Sequence, residues 1–258
     1  MIFHQMTWPE LRDIVWQDTL VLIPVGATEQ HGHHLPVDTD TRLVTMFANE
    51  LETRNPGRIL LIPTMWLGHS PHHLSFGGTL SVYHQVYADM ITSVCKSCIG
   101  MGARKIWILN GHGGNRMPLG VVLQQLKNEF ADVLVTASEY WNVAREEIMS
   151  IRESEFGGLG HACELETSLY LYNNEAGVRM DLIQDDGVQA EGSMFRSDML
   201  AGSAAARVMN FDELTASGVF GRPTLASRDK GERLFRAIAD KLDAFAEELH
   251  TIGKQGSL

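Results

Sequence analysis

Residues 19–25, 58–63, 105–109 and 133–136 are apolar almost without interruption and rich in β-branched side chains. A strand with one wet face alternates apolar and polar positions, so a run that is apolar at consecutive positions must be buried on both faces. The stretches 41–51, 82–101 and 118–130 between and after these runs repeat apolar residues at helical spacing. Strand and helix segments in alternation predict an α/β fold, a three-layer α/β/α arrangement with a mostly parallel central sheet. Helical spacing returns in 164–172 and 226–250, whereas 185–210 is polar, weakly periodic and predicted to be loop. No linker rich in Pro, Gly and Ser interrupts the 258 residues, so a single domain over 1–258 is expected.

In such sheets ligands bind beyond the carboxyl ends of the strands. Residues 29–34, 68–78 and 110–115 follow the first three apolar runs, and seven of the 11 histidines lie between His31 and His84. Glu29-Gln30-His31-Gly32-His33-His34 is followed by Asp38 and Asp40. Alternate residues of an extended loop face one way, so Glu29, His31 and His33 can address a common centre. Imidazole nitrogen with carboxylate oxygen suits zinc, manganese or iron, and a carboxylate can bridge the pair of ions in a two-metal hydrolytic site. A polar turn with solvated histidines would account for any one of these residues, but poorly for such a density of ligands.

Two further segments carry chemistry. Asn110-Gly111-His112-Gly113-Gly114-Asn115 can present His112 from a tight strand-to-helix turn, because glycine permits close backbone approach. The same loop could cradle phosphate, although it lacks the lysine of a P-loop. In His161-Ala162-Cys163-Glu164-Leu165-Glu166-Thr167-Ser168, helical geometry would place His161, Glu164 and Ser168 near one face and send Glu166 elsewhere. Both glutamates also suit a helix start, where the macrodipole favours negative charge.

A formal charge of -11, from 32 acidic against 21 basic residues, argues against a nucleic-acid partner. No apolar run approaches the roughly 20 residues that span a bilayer, so no membrane partner is expected. The segment MIFHQMTWPELRD lacks the basic and then apolar regions of a signal peptide, which predicts a cytoplasmic protein. Cys95, Cys98 and Cys163 read as buried thiols rather than a disulfide framework, and the Cys95/Cys98 pair has no second pair to complete a zinc knuckle.

Together these blocks resemble the creatininase (creatinine amidohydrolase) family. The resemblance is carried by Gly26-Ala27-Thr28-Glu29-Gln30-His31-Gly32-His33-His34 with Asp40, by Asn110-Gly111-His112, and by His161 with Glu166-Thr167-Ser168. His73 with Phe76-Gly77-Gly78-Thr79, and Ala226-Ser227-Arg228-Asp229-Lys230-Gly231-Glu232, follow in family order. The resemblance implies a homohexamer built as a trimer of dimers, and two divalent ions (Zn, Mn or Fe) with a bridging water. By position, Glu29, Asp40 and His112 would hold one ion, and His31 and Asp40 the other. His161 would be the proton shuttle, and Tyr140-Trp141 falls at the aromatic wall of the substrate site. Ser70 and His73 are further candidates for substrate binding.

Creatininase itself carries Tyr-Glu after the metal-binding histidine, and that glutamate is a ligand. Here Gly113 and Gly114 stand instead, and Gly157 replaces an aromatic flap residue. These departures argue against creatinine as the substrate. Glu164 is expected to supply the missing ligand and to act beside His161. Family members with the Gly-Gly version include formamide-hydrolysing enzymes of flavin and deazaflavin biosynthesis and peptide-trimming enzymes of redox-cofactor maturation. The expected activity is hydrolysis of an amide, cyclic amide or formamide C–N bond in a small molecule. Ring opening of a cyclic ketone or sugar-derived substrate, and a non-catalytic metal-containing scaffold binding a nucleotide-like ligand, are the alternatives.

Overall fold

The computed structural model describes residues 1–252. Its sheet consists of β1 (Leu20–Val25), β2 (Ile59–Leu61), β3 (Lys105–Asn110) and β4 (Leu134–Glu139), in the order β2-β1-β3-β4 with every pairing parallel. The helices are α1 (Trp8–Arg12), α2 (Thr39–Arg54), α3 (His84–Met101), α4 (Arg116–Glu129), α5 (Tyr140–Val143), α6 (Arg145–Ile151), α7 (Glu164–Asn174) and α8 (Arg228–Thr251). Every residue of β1, β2 and β3 is buried, which is why those strands read as unbroken apolar runs.

Alternation along the strands divides the interior into two cores. Leu20, Leu22, Trp107 and Leu109 point into the core shared with α2, α5, α6, α7 and α8. Val21, Ile23, Ile106 and Ile108 point into the core shared with α3 and α4. The sheet is therefore the middle of three layers. β1 and β3 pair from Leu20↔Lys105 to Val25↔Asn110, so their carboxyl ends are level. The chain leaves β1 toward β2 on one side and later fills β3 and β4 on the other. The loops after β1 and β3 consequently diverge at a topological switch point, where α/β sheets open a crevice. No helix among the described residues is long and apolar enough to cross a membrane. Cys95, Cys98 and Cys163 are free and buried.

Segment 185–210 contains one short 3-10 turn, Ser193–Phe195, and is otherwise irregular. It is tied down by Met199 N–H donating to Leu159 O and by a bidentate Arg152–Asp198 pair at 3.1 and 3.0 Å.

Helix α8 packs Leu234, Ile238, Leu242, Ala246 and Leu249 into the first core. Its first turn crosses α7 so closely that a Cβ on Gly231 would lie 1.9 Å from Ser168 O. Alanine normally stabilises a helix over glycine by roughly 0.5–1 kcal/mol. Here the contact is with backbone, so the helices must separate. Gly231→Ala is expected to lower stability by about 2 kcal/mol, within the usual range for overpacking. Thermal unfolding would then shift down by about 4–8 °C. A raised midpoint would mean that the two helices part at no cost.

Candidate metal centre

The segment following β1 runs past the end of β3, and the first turn of α2 faces it. Asp40 lies in that turn and is buried. Glu29, His31, Asp40, His112, His161 and Glu166 form one cluster at this edge, each at most 6% exposed. His33 is exposed and does not join it.

Backbone contacts set the ring nitrogens. His31 Nδ1–H donates to Glu29 O at 3.1 Å, which turns Nε2 toward Asp40 Oδ1 at 3.1 Å. His112 Nε2–H donates to His69 O at 3.1 Å, with Ser70 Oγ also at 3.1 Å. Its Nδ1 then faces Asp40 Oδ2 at 3.0 Å and Glu29 Oε1 at 3.2 Å. A backbone carbonyl behind each imidazole is the arrangement that orients histidine ligands. Asp40 thus points one oxygen at each of two histidines.

Ligand atoms within 4.8 Å of one another form the groups Glu29–His72–His112, His31–Asp40–Glu166 and Glu29–His31–His161. Glu29 Oε2 and Glu166 Oε2 are buried without a hydrogen-bond partner among the described residues. An anionic oxygen left unpaired in the interior is costly. Positive charge between the carboxylates removes that cost, whether it comes as protons or as metal ions. Burial pushes the His31 imidazole down, but Asp40 outweighs it and raises the group to about 9. His112 is likewise raised well above its usual value: burial opposes this, but the Glu29 and Asp40 carboxylates win. Burial, with Asp40 adding to it against His31, raises the Glu166 carboxyl to about 7. Carboxylate oxygens with imidazole nitrogens form a donor set for zinc, manganese or iron, and these residues fit such ions.

His161 stands beside this cluster. Its Nε2–H donates to Gln30 O at 2.6 Å, leaving Nδ1 3.6 Å from Glu29 Oε1. Burial and the nearby His31 hold its imidazole well below the usual value, hence neutral. His73 accepts from Gln30 Nε2 at 2.9 Å, and its Nε2 lies 3.3 Å from Glu29 Oε1. Phe211 packs its ring 4.0 Å from that of His73 and 4.8 Å from that of His161.

Several residues do not stand where the sequence places them. Glu164 is absent from the cluster. Its carboxylate accepts from Glu153 N and Ser154 N at 2.9 Å each and from Lys230 Nζ at 2.5 Å. The helical-face argument fails because His161 precedes the helix. It lies in an extended pairing with Phe220, and Ala162 turns the chain at φ 51° before α7 begins at Glu164. Counting faces back through that turn exchanges the two glutamates, and Glu166 is the one at the cluster. Tyr140 is sealed in the first core against Phe47, with ring centroids 4.9 Å apart, and cannot form a wall. Ser70 sits behind His112 rather than in the opening.

A cavity of 320 Å³ opens over the cluster, lined by His72, His73 and Trp141, by Ser197–Ser203 residues of the loop segment, and by Phe211. Gly114 faces it without room for a side chain. A Cβ there would lie 2.3 Å from His69 O, 2.4 Å from His112 Nε2 and 2.9 Å from His72 Cε1. The loop carrying His69 and His72 occupies that space. Sequence reasoning missed Gln30, His72 and Phe211, although His72 adjoins a quoted histidine and Gln30 lies inside the first motif. Phe211 has no sequence signal beyond being aromatic. The loop 110–115 holds itself together: Asn110 Oδ1 accepts from His112 N at 3.1 Å and from Asn115 Nδ2 at 3.2 Å.

Comparison with known proteins comes to the same place. Residues 4–246 match the family described as creatininase, creatinine amidohydrolase. The chain is 31% identical to a mycofactocin precursor peptide peptidase of Mycobacterium ulcerans, over 91% of this chain and 83% of that protein. It is 28% identical to a 3-dehydro-scyllo-inosose hydrolase of Thermotoga maritima, over 96% and 83% respectively. Among solved structures, a manganese form of creatininase superimposes with a TM-score of 0.77 at 25% identity, covering 96% of this chain and 98% of the other.

Proposed function

The chain belongs to the creatininase family of metal-dependent hydrolases, and we propose that it is a dinuclear amidohydrolase cleaving an amide, cyclic amide or formamide C–N bond in a small molecule other than creatinine. The observation that carries this reading is the pair of ligand groups joined through Asp40, with an oxygen toward each of His31 and His112. Glu29, His112 and Asp40 would hold one divalent ion, since His112 Nδ1 faces both carboxylates, and His31, Asp40 and Glu166 the other. Glu166 thereby takes the place that the sequence assigned to Glu164. Zinc, manganese and iron are all compatible with these donors. Bound there, such ions would lower the pKa of a water and polarise the scissile carbonyl.

The protein's own groups do the remaining work. His161 is neutral and offers Nδ1 toward the reacting centre, so it can accept a proton from the attacking water and deliver it to the departing nitrogen. Gln30 holds the His161 ring in that orientation through its backbone carbonyl, and His73 through its side chain. His73 in turn steadies Glu29. Trp141 lines the cavity, and its indole N–H is buried with no hydrogen-bond partner among the described residues. Phe211 covers the histidines and limits water access.

His161→Ala is expected to lose roughly 100- to 10,000-fold in turnover, the usual range for a general acid–base. Elemental analysis should still find two ions per chain. Loss of metal together with activity would make His161 a ligand instead. A panel of formamides, cyclic amides and short peptides identifies the substrate class. Ring opening of a cyclic ketone is the second reading, supported by the likeness to the Thermotoga maritima hydrolase, and release of no amine from a consumed substrate would favour it. Homohexameric assembly and a cytoplasmic location belong to the same proposal.

A further inference from the structure

The cavity over the carboxylates of Glu29, Asp40 and Glu166 is also lined by Arg116, at the start of α4. Among the described residues Arg116 is the one Lys or Arg lining this cavity. Its Nε–H donates to Glu139 Oε1 at 2.9 Å, and Asn142 Nδ2 donates to Glu139 Oε2 at 2.7 Å. Glu139 is itself largely covered, its side chain 14% exposed, so it anchors one edge of the guanidinium to the end of β4. No hydrogen bond engages Nη1 or Nη2 among the described residues. Asp198, the remaining carboxylate in the lining, is consumed by Arg152 and by the Gly157 and Leu200 amides.

We propose that Arg116 is a specificity-determining residue that binds a carboxylate on the substrate, so that the enzyme acts on amides bearing a second, anionic group. The proposal rests on the hydrolase reading above. Arg116 is thus the cationic side chain that the described residues present to this cavity. A planar guanidinium with its Nη1/Nη2 edge free is matched to a planar carboxylate, which it can grip with two parallel bonds. A neutral amide has no use for that fork. Because Arg116 is half exposed, the preference should weaken as salt is added.

The test uses zinc-loaded full-length protein carrying His161→Ala, which keeps Arg116 and suppresses turnover. Calorimetric titration compares N-formylglycine with N-formylglycinamide, which differ by the carboxylate. The anion is expected to bind at least tenfold more tightly, and the added substitution Arg116→Gln to bring the two within about threefold. Arg116→Lys should recover only part of the preference, since it keeps charge without the fork. Equal affinities with Arg116 present, no binding of the anion, or a preference that survives Arg116→Gln would each overturn the proposal. If the anion preference is present but wild-type enzyme hydrolyses no amide, the hydrolase reading fails and the carboxylate site stands.

Discussion

Asp40→Asn is expected to abolish hydrolysis and strip the centre of metal, the largest effect of any single substitution at this site. Among the described residues Asp40 is the one side chain that reaches both histidines at hydrogen-bonding distance, Oδ1 toward His31 and Oδ2 toward His112, and asparagine keeps its shape while removing the charge. An amide would present a donor or a weak acceptor to each ion in place of a carboxylate oxygen. Activity should fall by roughly 1,000-fold or more, corresponding to several kcal/mol of lost metal-ion catalysis. Elemental analysis after gel filtration should show wild-type protein with two ions and the variant with one weakly held ion or none. Thermal unfolding supplies a second readout. A ligand at 100 times its Kd stabilises by about 2.7 kcal/mol, so metal should raise the wild-type midpoint by about 5–10 °C and the variant midpoint hardly at all. Full occupancy of both sites in Asp40→Asn would remove it from the bridging position.

The second large effect separates two glutamates that lie two residues apart. Glu164→Ala should cost about 3 kcal/mol of stability, because Lys230 would be left buried without its principal counter-charge. Two backbone amides, of Glu153 and Ser154, would also lose their acceptor. Glu153 Oε1 lies 3.0 Å from Lys230 Nζ and is mostly exposed, so it offsets part of the loss. Metal content should not change once the protein is folded. Glu166→Gln should do the reverse, lowering occupancy toward one ion per chain with a much smaller change in the stability of the metal-free protein. The double variant Glu164→Leu with Lys230→Met should recover most of the stability lost in Glu164→Ala, since a buried pair can often be replaced by apolar side chains. If Glu164→Ala loses an ion while its unfolding midpoint stays fixed, Glu164 is a ligand and the assignment of Glu166 falls.

Sequence alone determined the layers and the rim of this protein. Burial on both faces forces consecutive apolar residues, so β1 and β3 announced themselves, and the loops that follow them could be found by counting. That Glu29, His31 and the glycine-flanked His112 gather at one cluster was legible because short loops leave them little choice of direction. The separation of Glu164 from Glu166 was not. It depends on a left-handed Ala162, which no side chain advertises, and on Lys230, 66 residues further along the chain. The same holds for Tyr140 and Trp141: adjacent in sequence, one is sealed against Phe47 and the other lines the cavity. Periodicity specifies which residues face the same way within one element. Only packing between elements specifies what they face, and in this protein that decides which carboxylate neutralises a lysine and which is left available to a metal ion.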